Sequence, residues 1–464
     1  MQADFDTLHF EAAWLPGGWA KNVRLMLSAG RIARVERDVG PRGGEAQHRW
    51  GLPGLPNLHS HAFQRAMAGL AERRGPQGGE KDGSQASDSF WTWREAMYRF
   101  VGRMTPDHLL AIAAQAQVEM LESGFTRVGE FHYLHHDADG RPYDDPAAMS
   151  AAIVAAAAET GIGLTLLPVL YTHSGFGGLP AQPGQRRFVH DVDGFARLLE
   201  AARRHAARLP DAVVGVAPHS LRAVTPDQLA HVPHLAGDAP IHCHVAEQER
   251  EVADCLAWSG QRPVAWLLDH APVDARWCLV HATHMTGAET AALAASGAVA
   301  GLCPITEANL GDGLFPAEAF LAAGGRIGVG SDSNVRIDAA EELRLLEYGQ
   351  RLALRRRAVL AGAPGASTAE TLFDASVMGG AQALGSSGGL VAGASADIVS
   401  LDSHHPGLIG HGPESLLDAW VFAAGRGAID GVWRHGAKVV SGGRHHAREA
   451  IARRYAAVLG DLCG

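Results

Sequence analysis

The spacing of hydrophobic and polar positions changes texture twice along the chain. Over the first fifty residues the apolar positions fall into short stretches, Leu8–Leu15, Val23–Leu27 and Ile32–Val35, with Gly-rich turns between them, a pattern that predicts strands. The far end repeats it: Ala396–Leu401, Ala419–Ala423 and Val432–Val440 are short apolar runs set apart by glycines, and helical spacing follows from Ala447 to Leu462. Between these ends the units lengthen. Gly54–His61, Thr126–Phe131, Gly163–Tyr171, Val213–His219, Pro240–Val245, Arg276–His281, Ala298–Cys303 and Arg326–Asp332 are apolar runs, each followed by helical periodicity, as in Pro106–Ser123 and Ala339–Ala358.

Apolar runs alternating with helices, without hairpins, predict parallel βα units. Eight of them in roughly 280 residues fit a (β/α)8 barrel. A doubly wound open sheet is the alternative, but it normally carries a Gly-rich turn after its first strand. Here that position holds Leu58-His59-Ser60-His61. The expectation is therefore an α/β protein: a (β/α)8 TIM-like barrel over 51–389, with a small β-sandwich domain built from both chain ends, 1–50 and 390–464, and closed by the C-terminal helix. Residues Gly75–Asp88, GPQGGEKDGSQASD, interrupt the pattern, either as a tolerated surface insertion or as a lid beside the first barrel strand.

Composition changes the picture in three places. The 464 residues are 47% hydrophobic and 19% charged, ordinary globular usage. Forty basic against fifty acidic residues give a net charge of -10, which argues against a nucleic-acid partner held by a basic field. The five cysteines form no C-x-x-C pair, so neither a disulfide framework nor a cysteine zinc site is indicated. The acidic start lacks a signal-peptide core, and the Ala-rich stretch Ala147–Ala158 is too short to span a bilayer. A cytoplasmic protein with no membrane partner is expected.

The 25 histidines are the outlying count. His59 and His61 stand two apart at the end of the first barrel run, and strand side chains at i and i+2 share a face, so the pair can meet one metal ion. In a chain so rich in histidine, an H-x-H pair alone is weak evidence. Other ligand types also end other runs: His242, His244 and Glu247 on the fifth, His281 on the sixth, Asp332 on the eighth. A barrel brings all these strand ends to one opening.

PGLPNLHSHAFQRAM, HCHVAEQERE, LVHATHM and VGSDSN, in that order, resemble the amidohydrolase superfamily in its mononuclear deaminase branch. The resemblance implies that His59, His61, His244 and Asp332 are metal ligands, that Glu247 shuttles protons, and that His281 polarises the reacting centre. Within it, the H-x-x-E spacing picks His244 over His242, and Asp332 doubles as acceptor of the nucleophilic water's second proton. Such a set suits one divalent ion, zinc first, with iron or manganese as alternatives. Residues 120–225 contain no lysine to bridge two metals, which favours a single ion.

Substrate choice falls to the loops after the strands. HSHAFQR, SFWTWRE, FHYLHH and APHSLRAV resemble, inside that superfamily, the deiminases that hydrolyse N-formimino-L-glutamate in histidine degradation. That implies substrate contacts from Gln64, Arg94, Tyr133, His219 and Arg222, with the two arginines and Tyr133 holding the carboxylates of a small dianion, and a homodimer. Three alternatives stay open: a deaminase of guanine, cytosine or an adenosine derivative on the same metal core, a hydrolase of a related ring, and a non-catalytic barrel serving binding or assembly.

Overall fold

A computed structural model describes residues 6–70, 72 and 90–463. The Gly75–Asp88 segment lies outside the described residues. Eight strand positions follow one another in parallel around a ring: Leu55–Ser60, Phe125–His132, Gly163–Leu170, a fourth in two pieces at Val213–Val214 and Ala217–Pro218, Ile241–Val245, Trp277–His281, Val299–Leu302 and Arg326–Val329. We number these barrel strands one to eight. Two seams close the ring. Val216 bridges Ile241 and Ser220 bridges His244 between strands four and five, and Ser60 bridges Asp332 between strands one and eight.

Several helices between strands begin where the sequence supplies caps. Thr105, Thr225 and Thr286 each accept the N–H three residues on, and at Thr225 and Thr286 the third residue, Gln228 or Glu289, bonds back. Pro106 and Pro226 occupy first helical positions, where no N–H is needed. Strands one, two, three, five and six are buried along their length, as expected of parallel strands covered by helices.

Both chain ends join one eight-stranded sheet, in the order Arg444–His445, Ala437–Ser441, Ile429–Arg434, Ile398–Leu401, Ala46–Pro53, Asp6–Leu15, Gly18–Ser28, Arg31–Glu36. The ends meet where Ile398–Leu401 runs antiparallel to Ala46–Pro53. A core of its own, including Phe10, Val23, Leu25, Ile32, Ile398 and Trp433, holds it together. The helix Arg448–Cys463 packs back onto the barrel helix Pro106–Glu122.

Three expectations give way. Ala419–Ala423 is helical rather than extended: the helix Pro413–Ala419 runs on into a π turn at Trp420–Ala424. Its buried residues Leu416, Leu417, Trp420 and Val421 have the helical spacing that the short run concealed. Val432–Val440 is a hairpin, broken where His435 (φ 49°) and Gly436 (φ 79°) turn left-handed. The fourth run breaks at Gly215, where a Cβ would stand 2.5 Å from the carbonyl oxygen of Pro240 on the next strand.

Candidate active site

The seam between strands one and eight builds the centre of the opening. The His61 N–H donates to the Asp332 carbonyl and the Asp332 N–H to the His59 carbonyl, both at 2.9 Å. Gly330 permits this approach, since a Cβ there would lie 2.7 Å from His59 backbone atoms. A buried network locks the seam: Asn57 Nδ2 donates to Ser331 Oγ (2.7 Å), Ser331 Oγ to Asn334 Oδ1 (2.6 Å), and Asn334 Nδ2 to Ser60 Oγ and the His61 carbonyl (3.1 Å each). Asp332 and Asn334 adopt φ of 45° and 55°, the left-handed region that Asp and Asn tolerate better than most.

His59 and His61 share a face, with Nε2 atoms 3.2 Å apart, and His244 Nε2 stands 3.1 Å from that of His59. Asp332 Oδ1 approaches His59 and His61 Nε2 at 3.5 and 3.4 Å. The outer nitrogens fix the tautomers. His61 Nδ1 donates to the Phe131 carbonyl (2.8 Å) and His244 Nδ1 to the His219 carbonyl (3.1 Å), which leaves bare Nε2 lone pairs pointing inward. Lone pairs and a carboxylate crowded at these distances repel one another unless a cation lies among them. The donor set therefore fits a borderline divalent ion. Burial drives His59 down to about 3, so it is neutral, as a ligand must be. Asp332 stays charged: burial opposes this, but the neighbouring His59, His61 and His281 hold it below the usual carboxylate range.

His242 is not part of this group. Its Nε2 donates to the Ala383 carbonyl at 2.7 Å. Glu247 follows strand five beyond Ala246, a left-handed residue (φ 51°) whose turn carries it over the opening. Its Oε1 stands 3.9 Å from His281 Nε2, and its Oε2 lies 3.7 Å from Arg222 Nη2. Burial raises the Glu247 carboxyl to about 7, with His281 and Arg222 pulling the other way, which suits a group that must take and give protons near neutrality. His281 Nε2 is also 3.9 Å from Asp332 Oδ2. Burial works against its protonation, but Glu247, Glu307 and Asp332 outweigh this and lift it to about 10.

One cavity joins these groups to the residues expected to meet substrate: His61, His244, Glu247, His281 and Asp332 line it together with Gln64, Arg94, Tyr133, His219 and Arg222. Gln64, on the short helix after His61, donates from Nε2 to Tyr133 Oη at 2.9 Å. Arg94, on the helix Phe90–Val101, lies over the Tyr98 ring. Arg222 also stands 3.8 Å from Glu251 Oε2, and Glu251 accepts the N–H groups of Ala246 and Glu247. His219 packs on Tyr171 and His244, with ring centroids 4.7 and 4.9 Å away.

Several contributors escaped the reading of the sequence. Tyr98, Tyr171 and Phe188 also line the cavity. Glu307 accepts from His281 Nδ1 at 3.2 Å. Glu130 takes the Ala62 N–H at 2.7 Å, directly behind the H-x-H turn, and burial pushes its carboxyl up to about 8. Asn57, Ser331 and Asn334 sit inside the quoted motifs, and that proximity was the available signal. A second histidine group, His132, His135, His136 and His190, is buried beside the cavity wall; His135 and His136 are packing residues rather than surface ones.

Residues 50–439 match the amidohydrolase family, and residues 6–49 match the N-terminal domain described as formimidoylglutamate deiminase HutF. The chain belongs to the amidohydrolase family, whose members depend on metal. It is 52% identical, over 97% of its length and 98% of the relative's, to formimidoylglutamate deiminase of Pseudomonas aeruginosa. Among solved structures, an amidohydrolase from Brucella melitensis superposes with a TM-score of 0.93 at 53% identity, covering 99% of this chain and 100% of the other. An adenosine deaminase from Xanthomonas campestris with bound zinc shares the fold, with a TM-score of 0.79 at 22% identity over 98% of each chain. Among the described residues, no helix is long and apolar enough to cross a membrane.

Proposed function

We infer that the chain hydrolyses N-formimino-L-glutamate to N-formyl-L-glutamate and ammonia in histidine degradation. The observation that carries this reading is the shared cavity, with a histidine–carboxylate centre and two arginines, Arg94 and Arg222, on one small chamber. The near full-length likeness to a deiminase supports it. Residues 51–389 supply the catalytic barrel, and 1–50 with 390–464 the supporting domain.

His59, His61, His244 and Asp332 hold one divalent ion, zinc first, a borderline ion that takes imidazole and carboxylate donors. When bound, that ion supplies Lewis acidity that makes water nucleophilic at neutral pH. Arg94 and Arg222 offer guanidinium forks to the two carboxylates, a local match that overrides the chain's net charge of -10. Tyr133 joins them on the carboxylates, while Gln64 and His219 orient the chain of the substrate between those anchors and the centre. Glu247 takes a proton from the attacking water and delivers it to the formimino nitrogen; the water's second proton, taken up by Asp332 as the carbonyl forms, follows it there, so the nitrogen leaves as ammonia. His281 stabilises the charge that builds on the attacked carbon's new oxygen. Asp332 receives the second proton as the carbonyl forms.

The test is ammonia release from N-formimino-L-glutamate beside guanine, cytosine and adenosine. Turnover of the first alone is expected. No release from it, with efficient turnover of a nucleobase or nucleoside, would replace this reading with a heterocycle deaminase; no release from any would favour a binding protein.

A further inference from the structure

We propose that Glu307 is a positioning residue for the reaction, holding the His281 ring so that its Nε2 faces the reacting centre. This rests on the reading above, in which His281 acts there. The backbone alone does not fix that ring. His281 and Ala282 have φ of 68° and 48°, two successive non-glycine residues in the left-handed region, a strained exit that surrounding contacts must over-determine. The Ala282 N–H is held by the carbonyls of Val245 and Val280, at 3.0 and 3.1 Å, which fixes the main chain but leaves the second side-chain torsion of His281 broad and two-fold.

Glu307 supplies the missing constraint. It lies on the short helix Pro304–Leu310 after strand seven and is buried. Its Oε1 accepts the Cys303 N–H at 2.9 Å and stands 3.2 Å from His281 Nδ1. A carboxylate only accepts, so Nδ1 carries the hydrogen and Nε2 turns toward Glu247 and Asp332. The helix is itself fixed, since Glu307 N–H donates to the Cys303 carbonyl (2.8 Å) and Asp312 N–H to the Glu307 carbonyl (2.9 Å). Asp312 in turn accepts from Gln248, next to Glu247, so one segment steadies both groups that handle protons. The donor atoms of His281, Cys303 and Glu307 also lie close enough to share an ion. The hydrogen bond between His281 and Glu307 already uses two of those three donors, and burial keeps the Cys303 thiol protonated.

The experiment is a double-mutant cycle on the metal-loaded enzyme, reading kcat, KM and ion content. Glu307→Ala is expected to lower kcat about 100-fold, in the upper range for removing an orienting partner of histidine, with KM within about threefold of the parent and ion content unchanged. Glu307→Gln keeps an acceptor for both N–H groups and is expected to recover at least about tenfold of that loss. In a His281→Ala background, Glu307→Ala is expected to cost nothing further. Should Glu307→Ala not fold, Glu307→Asp, which draws the carboxylate back from Nδ1, is read in the same way. The proposal is overturned by a Glu307→Ala kcat within threefold of the parent, by an equal further loss in the His281→Ala background, or by a kcat loss that merely tracks lost ion. A His281→Ala enzyme with parental kcat overturns both this proposal and the role given to His281; an inactive one beside an intact Glu307→Ala enzyme overturns this proposal alone.

Discussion

Two groups of buried histidines lie within one wall of each other, and only one is built for an ion. In the first, His59, His61 and His244 bring their Nε2 atoms within 3.1–3.2 Å along the contacts described, and Asp332 joins them. In the second, rings pack at centroid distances of 5.3 Å (His132–His135), 5.0 Å (His135–His190) and 4.4 Å (His136–His190), while His135 and His136 spend Nε2 on the carbonyls of Val169 and Val189. Among the described residues, the second group does not bring three donor atoms close enough for one ion. The difference lies in where the hydrogens point. Carbonyls that hold Nδ1 of His61 and His244 release their Nε2 to the centre; carbonyls that hold Nε2 of His135 and His136 turn those rings into packing elements.

The sharpest way to break this contrast is to remove one ring from each group. His244→Ala is expected to lower ion affinity at least about 100-fold and activity to background, whereas His135→Ala keeps ion content and loses thermal stability only; metal analysis and a melting curve read both, and ion loss in His135→Ala would erase the distinction. Next, Glu247→Gln should keep the ion and lose about 10²–10⁴ in kcat, the share of a general acid–base group; retained turnover would remove Glu247 from the proton path. Arg222→Ala should raise KM for the dianion about 10–100-fold, the range for a charge-assisted hydrogen bond, with ion content unchanged. It should also lower the melting temperature, because Glu251 loses its cation. Equal loss of ion in that variant would mark Arg222 as structural.

The smallest effect is the pH dependence that the second group contributes. Burial drives His132 and His190 to about 3, against an ordinary 6.5. Between those values the unfolded chain binds protons that the folded chain refuses, so stability declines as pH falls from 6.5 toward 3, by up to about 1.4 kcal/mol per pH unit for each histidine. Above 6.5 the two contribute no slope. Replacing His190 with Gln should flatten the acid limb of stability against pH measured by urea titration; an unchanged limb would show that His190 charges within the fold.

The barrel was legible because strand and helix texture differ in period, and because side chains two apart on a strand share a face. The convergence of His59, His61, His244, Glu247, His281 and Asp332 on one opening was legible because they end runs one, five, six and eight, which only a closed ring brings together. What stayed hidden follows the same logic. Glu307 and Glu251 sit in helical stretches, where a carboxylate in sequence looks like any solvated surface charge; only the packing of neighbouring loops buries them. Leu416–Val421 concealed its helical period because the apolar run, read from Ala419, was too short to show it. Tyr98 and Phe188 come from segments between strands, whose paths no local periodicity dictates.

The seam at Gly330 also governs when the centre can exist. His59 and His61 emerge early in synthesis and Asp332 late, and the two hydrogen bonds that set their spacing are those by which the last barrel strand docks on the first. This donor group is therefore complete only when strands one and eight are docked. An ion bound there favours the closed ring over any opened form in proportion to RT ln(1 + [M]/Kd). Stripping the ion should therefore also weaken the docking of strands one and eight.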